Sequence, residues 1–283
     1  MTLCQADQAV AVLTWADPEY IQRRTLPDGT LQPQSYVFVE GRSHRGTTRD
    51  GALERTTVAD LARSLAQDLR RQQYYPATSV QEADLWLVLH WGTTMRPESE
   101  DEMRGLTGDE GRQAVANYQG AVDSGASFGD QAAARAALNS EVMRRETDAA
   151  GMYQGAHDNA RLLGIDREIA RAERQGSNSF YARNLRSLLS EDRYFIVVVA
   201  YDGRLIAQEK KLKRLWNARL SIRAPGVNFA TAVGRMGSIG SQYFGRATPE
   251  LEVRRAGRRE TKVEIGEVIV VEGSNVPLDA APP

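Results

Sequence analysis

Ala83-Asp84-Leu85-Trp86-Leu87-Val88-Leu89-His90-Trp91 is the stretch on which the fold turns. In an extended chain Leu85, Leu87, Leu89 and Trp91 share one face, and Trp86, Val88 and His90 share the other. Both faces are largely apolar, so the spacing predicts a central strand covered on both sides. Upstream, Thr57 followed three residues later by Asp60 is a capping-box pattern, and Val58, Leu61, Leu65 and Leu69 continue at helical spacing. That helix must finish before Pro76. Residues 35–40 read as a first strand ending at Gly41, and residues 42–51 as a polar, glycine-punctuated loop. The opening is therefore strand, helix, strand, with a right-handed crossover if the strands pair in parallel.

Downstream, residues 194–201 (Tyr-Phe-Ile-Val-Val-Val-Ala-Tyr) form the strongest strand pattern, β-branched and apolar throughout. Asp202-Gly203 follows as a pair suited to a hairpin turn. Residues 212–222 then alternate, with Leu212, Trp216, Ala218, Leu220 and Ile222 opposite Lys211, Lys213, Asn217, Arg219, Ser221 and Arg223. This pattern predicts a half-exposed strand with a basic outer surface. After Pro225-Gly226, Phe229, Val233, Met236, Gly240 and Tyr243 mark one helix face, and residues 263–271 a last strand. Between the two halves, residues 93–190 hold alanine-rich, charged segments that read as a helical insertion, ending in a helix at about residues 179–189. Leu162, Ile165, Ile169 and Ala172 form its tightest stripe; Gly151, Gly155 and Gly164 are candidate breaks, and residues 98–102 an acidic loop.

These elements predict an α+β fold with packed helices on a mixed sheet of about five strands. Its order is strand-helix-strand, helical insertion, strand-strand-helix-strand. Residues 1–33, with Pro18, Pro27 and Pro33, read as a loosely ordered arm. Residues 34–275 form the domain, and residues 276–283 a flexible tail.

Composition narrows the class. The 283 residues are 41% hydrophobic and 26% charged, which argues against a disordered, collagenous or disulfide-scaffold chain. Lys plus Arg number 36 against 37 Asp plus Glu, so no global field concentrates nucleic acid, and no nucleic-acid partner is expected. Cys4 is the sole cysteine, so neither an internal disulfide nor a cysteine-based zinc cluster is possible. The longest apolar run, residues 195–201, falls far short of the roughly 20 residues a transmembrane helix needs. Residues 9–13 are apolar but follow no Lys or Arg, and Cys4 lacks a small residue just before it. Neither a signal peptide nor a lipoprotein site is read in this chain.

Catalytic chemistry finds little footing. Gly234, Gly237 and Gly240 fall inside a helix pattern, unlike the strand-to-helix turn of a phosphate loop, and fit close helix packing better. His90 and Asp84 lie six residues apart on one strand, about 20 Å at ~3.3 Å per residue, too far to act as a base and its orienting carboxylate. His157-Asp158 with Glu168 matches no metal-ligand spacing, His44 sits in a loop, and no Gly-x-Ser-x-Gly is present. No catalytic, cofactor or metal residue is assigned. Trp86, Trp91 and Trp216 fall on strands as core residues, and the role of Trp15 is open.

The charged clusters are more suggestive. Lys211, Lys213, Arg219 and Arg223 line a strand face, and Arg254, Arg255, Arg258 and Arg259 form a second group. Such surfaces suit a protein or anionic envelope partner. Lysine and arginine on an exposed strand also prevent edge-to-edge aggregation, which is the simpler account.

The helix with Leu61, Leu65 and Leu69, then Tyr74-Tyr75 and Ala83-Asp84-Leu85-Trp86-Leu87-Val88, resembles an arrangement found in bacterial envelope lipoprotein and periplasmic accessory domain families of unknown function. Residues 196–202, the strand of residues 215–223 with its Trp216-x-x-Arg219 pattern, and the helix from Phe229 to Phe244 resemble their second half. The resemblance covers about half of the chain and carries no catalytic residues. It implies a non-catalytic cell-envelope interaction or structural module, whereas the unseen signal peptide points to the cytoplasm. The alternative expectation is a soluble enzyme or small-molecule-binding domain with the insertion as a lid, and with Asp84, His90 and Asp202 as its polar residues near strands.

Overall fold

A computed structural model of the protein describes residues 9–95, 100–175, 180–255 and 268–271. The chain begins β1 (Ala9–Ala16), α1 (Pro18–Arg24), β2 (Gln34–His44), α2 (Gly51–Arg55), α3 (Val58–Arg70), β3 (Tyr74–Pro76) and β4 (Leu85–Thr93). Four helices follow: α4 (Glu100–Asp123), α5 (Phe128–Leu163), α6 (Asp166–Gln175) and α7 (Phe180–Ser190). The remainder is β5 (Arg193–Asp202), α8 (Gly203–Glu209), β6 (Arg214–Arg223), α9 (Phe229–Gly240), β7 (Glu252–Arg255) and β8 (Val270–Val271).

The strands make one eight-stranded mixed sheet in the order β3-β2-β4-β5-β6-β1-β7, with β8 also pairing β2. β2 runs parallel to β3, β4 and β8, whereas β4–β5, β5–β6, β6–β1 and β1–β7 are antiparallel. The α+β class holds, but the sheet is larger than five strands. Alternation along each strand divides the core into two layers. Phe38, Leu87, Ile196 and Leu220 pack with Leu61, Leu65 and Leu69 of α3 and with Phe229 and Met236 of α9. Val39, Val88, Val197 and Val199 face the other way, toward Leu163, Ile165, Ala172 and Leu185 at the end of α5 and in α6 and α7. The central strands are thus buried on both faces, as their continuous apolar character requires.

Residues 9–16 correct the expectation of a loose arm. They form β1 between β6 and β7, with Val10 opposite Ile222 and Ala16 opposite Trp216. Val10 and Val12 are fully buried in the first core layer, and Leu13 packs against the second. The hairpin expected at Asp202-Gly203 is also absent. Asp202 instead caps α8, its carboxylate accepting from the Leu205 N–H at 3.0 Å, and that helix joins β5 to β6. Arg254 and Arg255 of the second basic group lie on β7. Residues 100–102 of the acidic run open α4, while 98–99 lie outside the described residues, as do residues 256–267 and the tail.

The Thr57–Asp60 capping box is formed, with the Asp60 carboxylate accepting from the Thr57 N–H at 3.0 Å. Gly237 faces Leu65 and Asp68 of α3, and Gly240 faces Leu220 of β6, so these two glycines do serve close packing. Of the suggested helix breaks only Gly164 ends a helix; Gly151 and Gly155 lie inside α5.

The chain divides into two compact units. One holds the described residues up to Met95 and from Ala160 onward; the other is Arg96–Asn159. Residues 160–190, expected within the insertion, thus belong to the sheet's unit.

Candidate functional site

Strand register gathers the polar residues of the sheet's unit at one end. Tyr36 pairs with Leu85, Leu85 with Asp202, and Tyr201 with Arg214. Gln34, Asp84, Asp202 and the start of β6 therefore come together, beside the turn from β1 into α1. A cleft of about 270 Å³ lies there, lined by Tyr20, Arg23, Arg24, Gln34, Asp84 and Arg204, among others.

Asp17 and Pro18 start α1. The Asp17 carboxylate accepts from the Glu19 N–H at 2.8 Å, and proline occupies the first turn, where a missing N–H costs nothing. One helical turn then places Tyr20 and Arg24 on the inward face and leaves Arg23 exposed. The Tyr20 hydroxyl donates to Gln34 Oε1 at 2.7 Å and lies 2.9 Å from the Tyr74 hydroxyl. Burial pushes the Tyr74 phenol well above its usual value and raises that of Tyr20, so both are neutral at physiological pH.

Arg24 is only 3% exposed. Its guanidinium lies 3.6 Å over the Tyr74 ring centroid and donates to the Tyr74 hydroxyl and the Gln72 carbonyl. No described carboxylate pairs with it, and its Nε has no hydrogen-bond partner among the described residues. Gly245, at φ +75°, allows this arrangement. A Cβ there would sit 2.1 Å from the Tyr74 hydroxyl and 2.6 Å from Arg24 Nη1.

The cleft's carboxylates serve the fold. Asp84 accepts from the Ser35 N–H at 2.8 Å and the Ser35 hydroxyl at 3.0 Å, tying β2 to β4, and its other oxygen pairs with Arg204 at 2.6 Å. Asp202 caps α8. His90 lies elsewhere, fully buried in the sheet, where its Nδ1 accepts from the Arg42 N–H at 2.9 Å. Burial, together with nearby His44, Arg219 and Arg42, pushes its imidazole down to about 3. Asp84 and Asp202 are thus brought together, and His90 is not.

The expected basic surface is dispersed. Arg219 does not face outward; its Nη1 donates to the carbonyls of Arg161 and Leu162 at 2.6 and 2.7 Å, at the end of α5. Ser221, from the same expected face, is buried and accepts from Arg193 at 3.1 Å. Lys211 pairs with Glu209 at 2.8 Å, Lys213 with Glu19 at 3.9 Å and Arg223 with Glu191 at 3.5 Å. Arg254 pairs with Glu252 and donates to the Tyr243 hydroxyl, and Arg255 is exposed on β7. Arg258 and Arg259 lie outside the described residues. Of the tryptophans, Trp91 and Trp216 are core residues, and Trp15 carries the Arg214 guanidinium 4.8 Å over its ring.

In the helical unit, Val115, Tyr118 and Val122 lie at i, i+3 and i+7 of α4, one helix face. Val115 and Val122 are 42% and 45% exposed, and Phe128, at the start of α5, is 89% exposed. Among the described residues no cluster of His, Cys, Asp and Glu could hold a metal, and no helix is long and apolar enough to cross a membrane.

No known protein family's model matches the chain, and no curated protein matches it. Fold and site together define a mixed α+β sheet unit with helices on both faces and a polar cleft at one strand end. Sequence reasoning missed Tyr20, Arg24 and Tyr74. The signal was present in Asp17-Pro18, a cap followed by a helix-starting proline, with Tyr20 and Arg24 four residues apart.

Proposed function

We propose that this chain is a non-catalytic interaction module of the bacterial cell envelope, whose helical unit contacts a protein partner while the sheet's unit supports it. The Val115–Tyr118–Val122 stripe carries this reading. Apolar anchors at i, i+3 and i+7 are the pattern by which a helix enters a partner's groove, and Phe128, at the start of α5, is a further exposed apolar side chain of this unit. The dispersed, ion-paired lysines and arginines support a protein partner over a uniformly anionic one, because each already faces a carboxylate. The envelope location rests on the resemblance of residues 83–88, 196–202 and 215–223 to envelope families.

The test is in-cell cross-linking of the full chain against the triple variant Val115→Ser, Val122→Ser, Phe128→Ser. These side chains are exposed, so the thermal midpoint should not move. Loss of a reproducible cross-linked protein at unchanged midpoint supports the reading. Identical products from both proteins count against it. Fractionation addresses the location, and recovery of the native protein solely from the cytoplasm would remove the envelope from the proposal.

A further inference from the structure

We infer that the cleft at the strand ends binds an oxyanion, the carboxylate or phosphate group of a small polar molecule, through Arg24 and Arg23. The starting point is the buried charge. Removing a guanidinium from water is costly unless an opposite charge accompanies it. The Tyr74 ring, the Tyr74 hydroxyl and the Gln72 carbonyl offset part of that cost for Arg24, yet all three are neutral.

The described carboxylates that line the cleft are engaged elsewhere. Asp84 is held by Ser35 and Arg204, and Asp202 caps α8. Three guanidiniums therefore line the cleft against two engaged carboxylates. Two further lining groups can donate to an anion. Gln34 has its oxygen taken by Tyr20 and so offers N–H groups, and Arg23 is exposed at the rim. A fork of N–H donors at fixed spacing matches the paired oxygens of a carboxylate or phosphate. Gly245 keeps the backbone close to Arg24 and Tyr74, so the guanidinium is held in place before any anion arrives. The inference is independent of the helical stripe and stands if that reading fails.

Isothermal titration calorimetry of the full chain with inorganic phosphate and, separately, citrate provides the test, at fixed ionic strength. Saturable binding of phosphate alone assigns a phosphoryl ligand, and of citrate alone a carboxylate ligand. Arg23→Gln, at an exposed position, should weaken binding about tenfold, the effect of one charge-assisted contact. Arg24→Lys retains the charge but loses the fork and should weaken it at least as much. Lys211→Gln, outside the cleft, should leave affinity unchanged. If Arg24→Lys fails to fold, Arg23→Gln alone decides. No saturable binding of either probe overturns the inference, as does binding that the arginine variants leave within about twofold.

Discussion

Arg219 decides between two accounts of the basic strand. If it is a surface cation, replacing it leaves stability unchanged; if it caps α5, the sheet's unit must weaken. Its Nη1 makes contacts of 2.6 and 2.7 Å with two carbonyls in the last turn of a 36-residue helix. A hydrogen bond to a charged group contributes about 1.5–3 kcal/mol when buried, and about half that is reasonable for this half-buried side chain. A cation at a helix C-terminus adds about 0.5 kcal/mol. We therefore expect Arg219→Met, which keeps the aliphatic stem, to cost about 2 kcal/mol. For a unit of this size that corresponds to about 4–8 °C in midpoint. Trp15, Trp86, Trp91 and Trp216 all belong to the sheet's unit, so tryptophan fluorescence during thermal unfolding follows it selectively. Gly164 supplies a coupled control. It sits at φ +72°, and a Cβ there would lie 2.4 Å from Arg219 Cδ. Gly164→Ala should therefore destabilise by itself, and less so in an Arg219→Ala background, where the collision is gone. Midpoints within about 1 °C of wild type for both Arg219→Met and Arg219→Gln would refute the capping role.

Three further outcomes follow from two buried polar groups and one half-buried carboxylate. Burial raises the Asp68 carboxyl to about 6, against partial relief from Arg71, so the folded state binds this proton more tightly than the unfolded chain. Its contribution is present at low pH and lost as pH rises through about 6; Asp68→Asn should stabilise at pH 7.5 by up to roughly 3 kcal/mol and by much less at pH 4, read by urea denaturation. Equal effects at both pH values would contradict the assignment. His90 shifts in the opposite sense: the unfolded imidazole takes a proton near 6.5 and the buried one does not, so it disfavours folding as pH falls below that value. Nitrogen-15 NMR should show a neutral ring with Nδ1 unprotonated at pH 5.5, and an imidazolium signal there would rule this out. Asp50 accepts from the Ala52 and Phe229 N–H groups and the Tyr194 hydroxyl, each at 2.7 Å, joining α2, α9 and β5. Asp50→Ala should cost about 3 kcal/mol in denaturant unfolding, and a loss below about 1 kcal/mol would show that these contacts are replaceable.

What the sequence disclosed follows the range over which its signals act. The α3 capping box and the two-sided apolar runs of β4 and β5 are written in consecutive residues, and they fold as read. β1 escaped because its evidence is remote. Ala9, Ala11 and Ala16 carry little β-preference, and the strand gains its place by pairing with β6 and β7, some two hundred residues or more away. Asp202-Gly203 shows the converse, a local signal with two outcomes, since an aspartate that suits a turn equally suits a helix cap.

The basic strand shows most clearly where periodicity stops. Alternation correctly placed Arg219 opposite Ala218 and Leu220, but a two-residue period says nothing about what covers a face. The cover is the end of α5, whose exposed carbonyls require a donor, and that requirement is invisible without the tertiary fold. The cleft follows the same logic in reverse. Tyr20 and Arg24 lie in a proline-punctuated segment that reads as loose, and burial of a cation there leaves no local signature in the sequence. Charge on an exposed side chain is cheap to carry and says little about binding. Charge on a buried one must be balanced, and where no described carboxylate pairs with it, a bound oxyanion is the balance we infer.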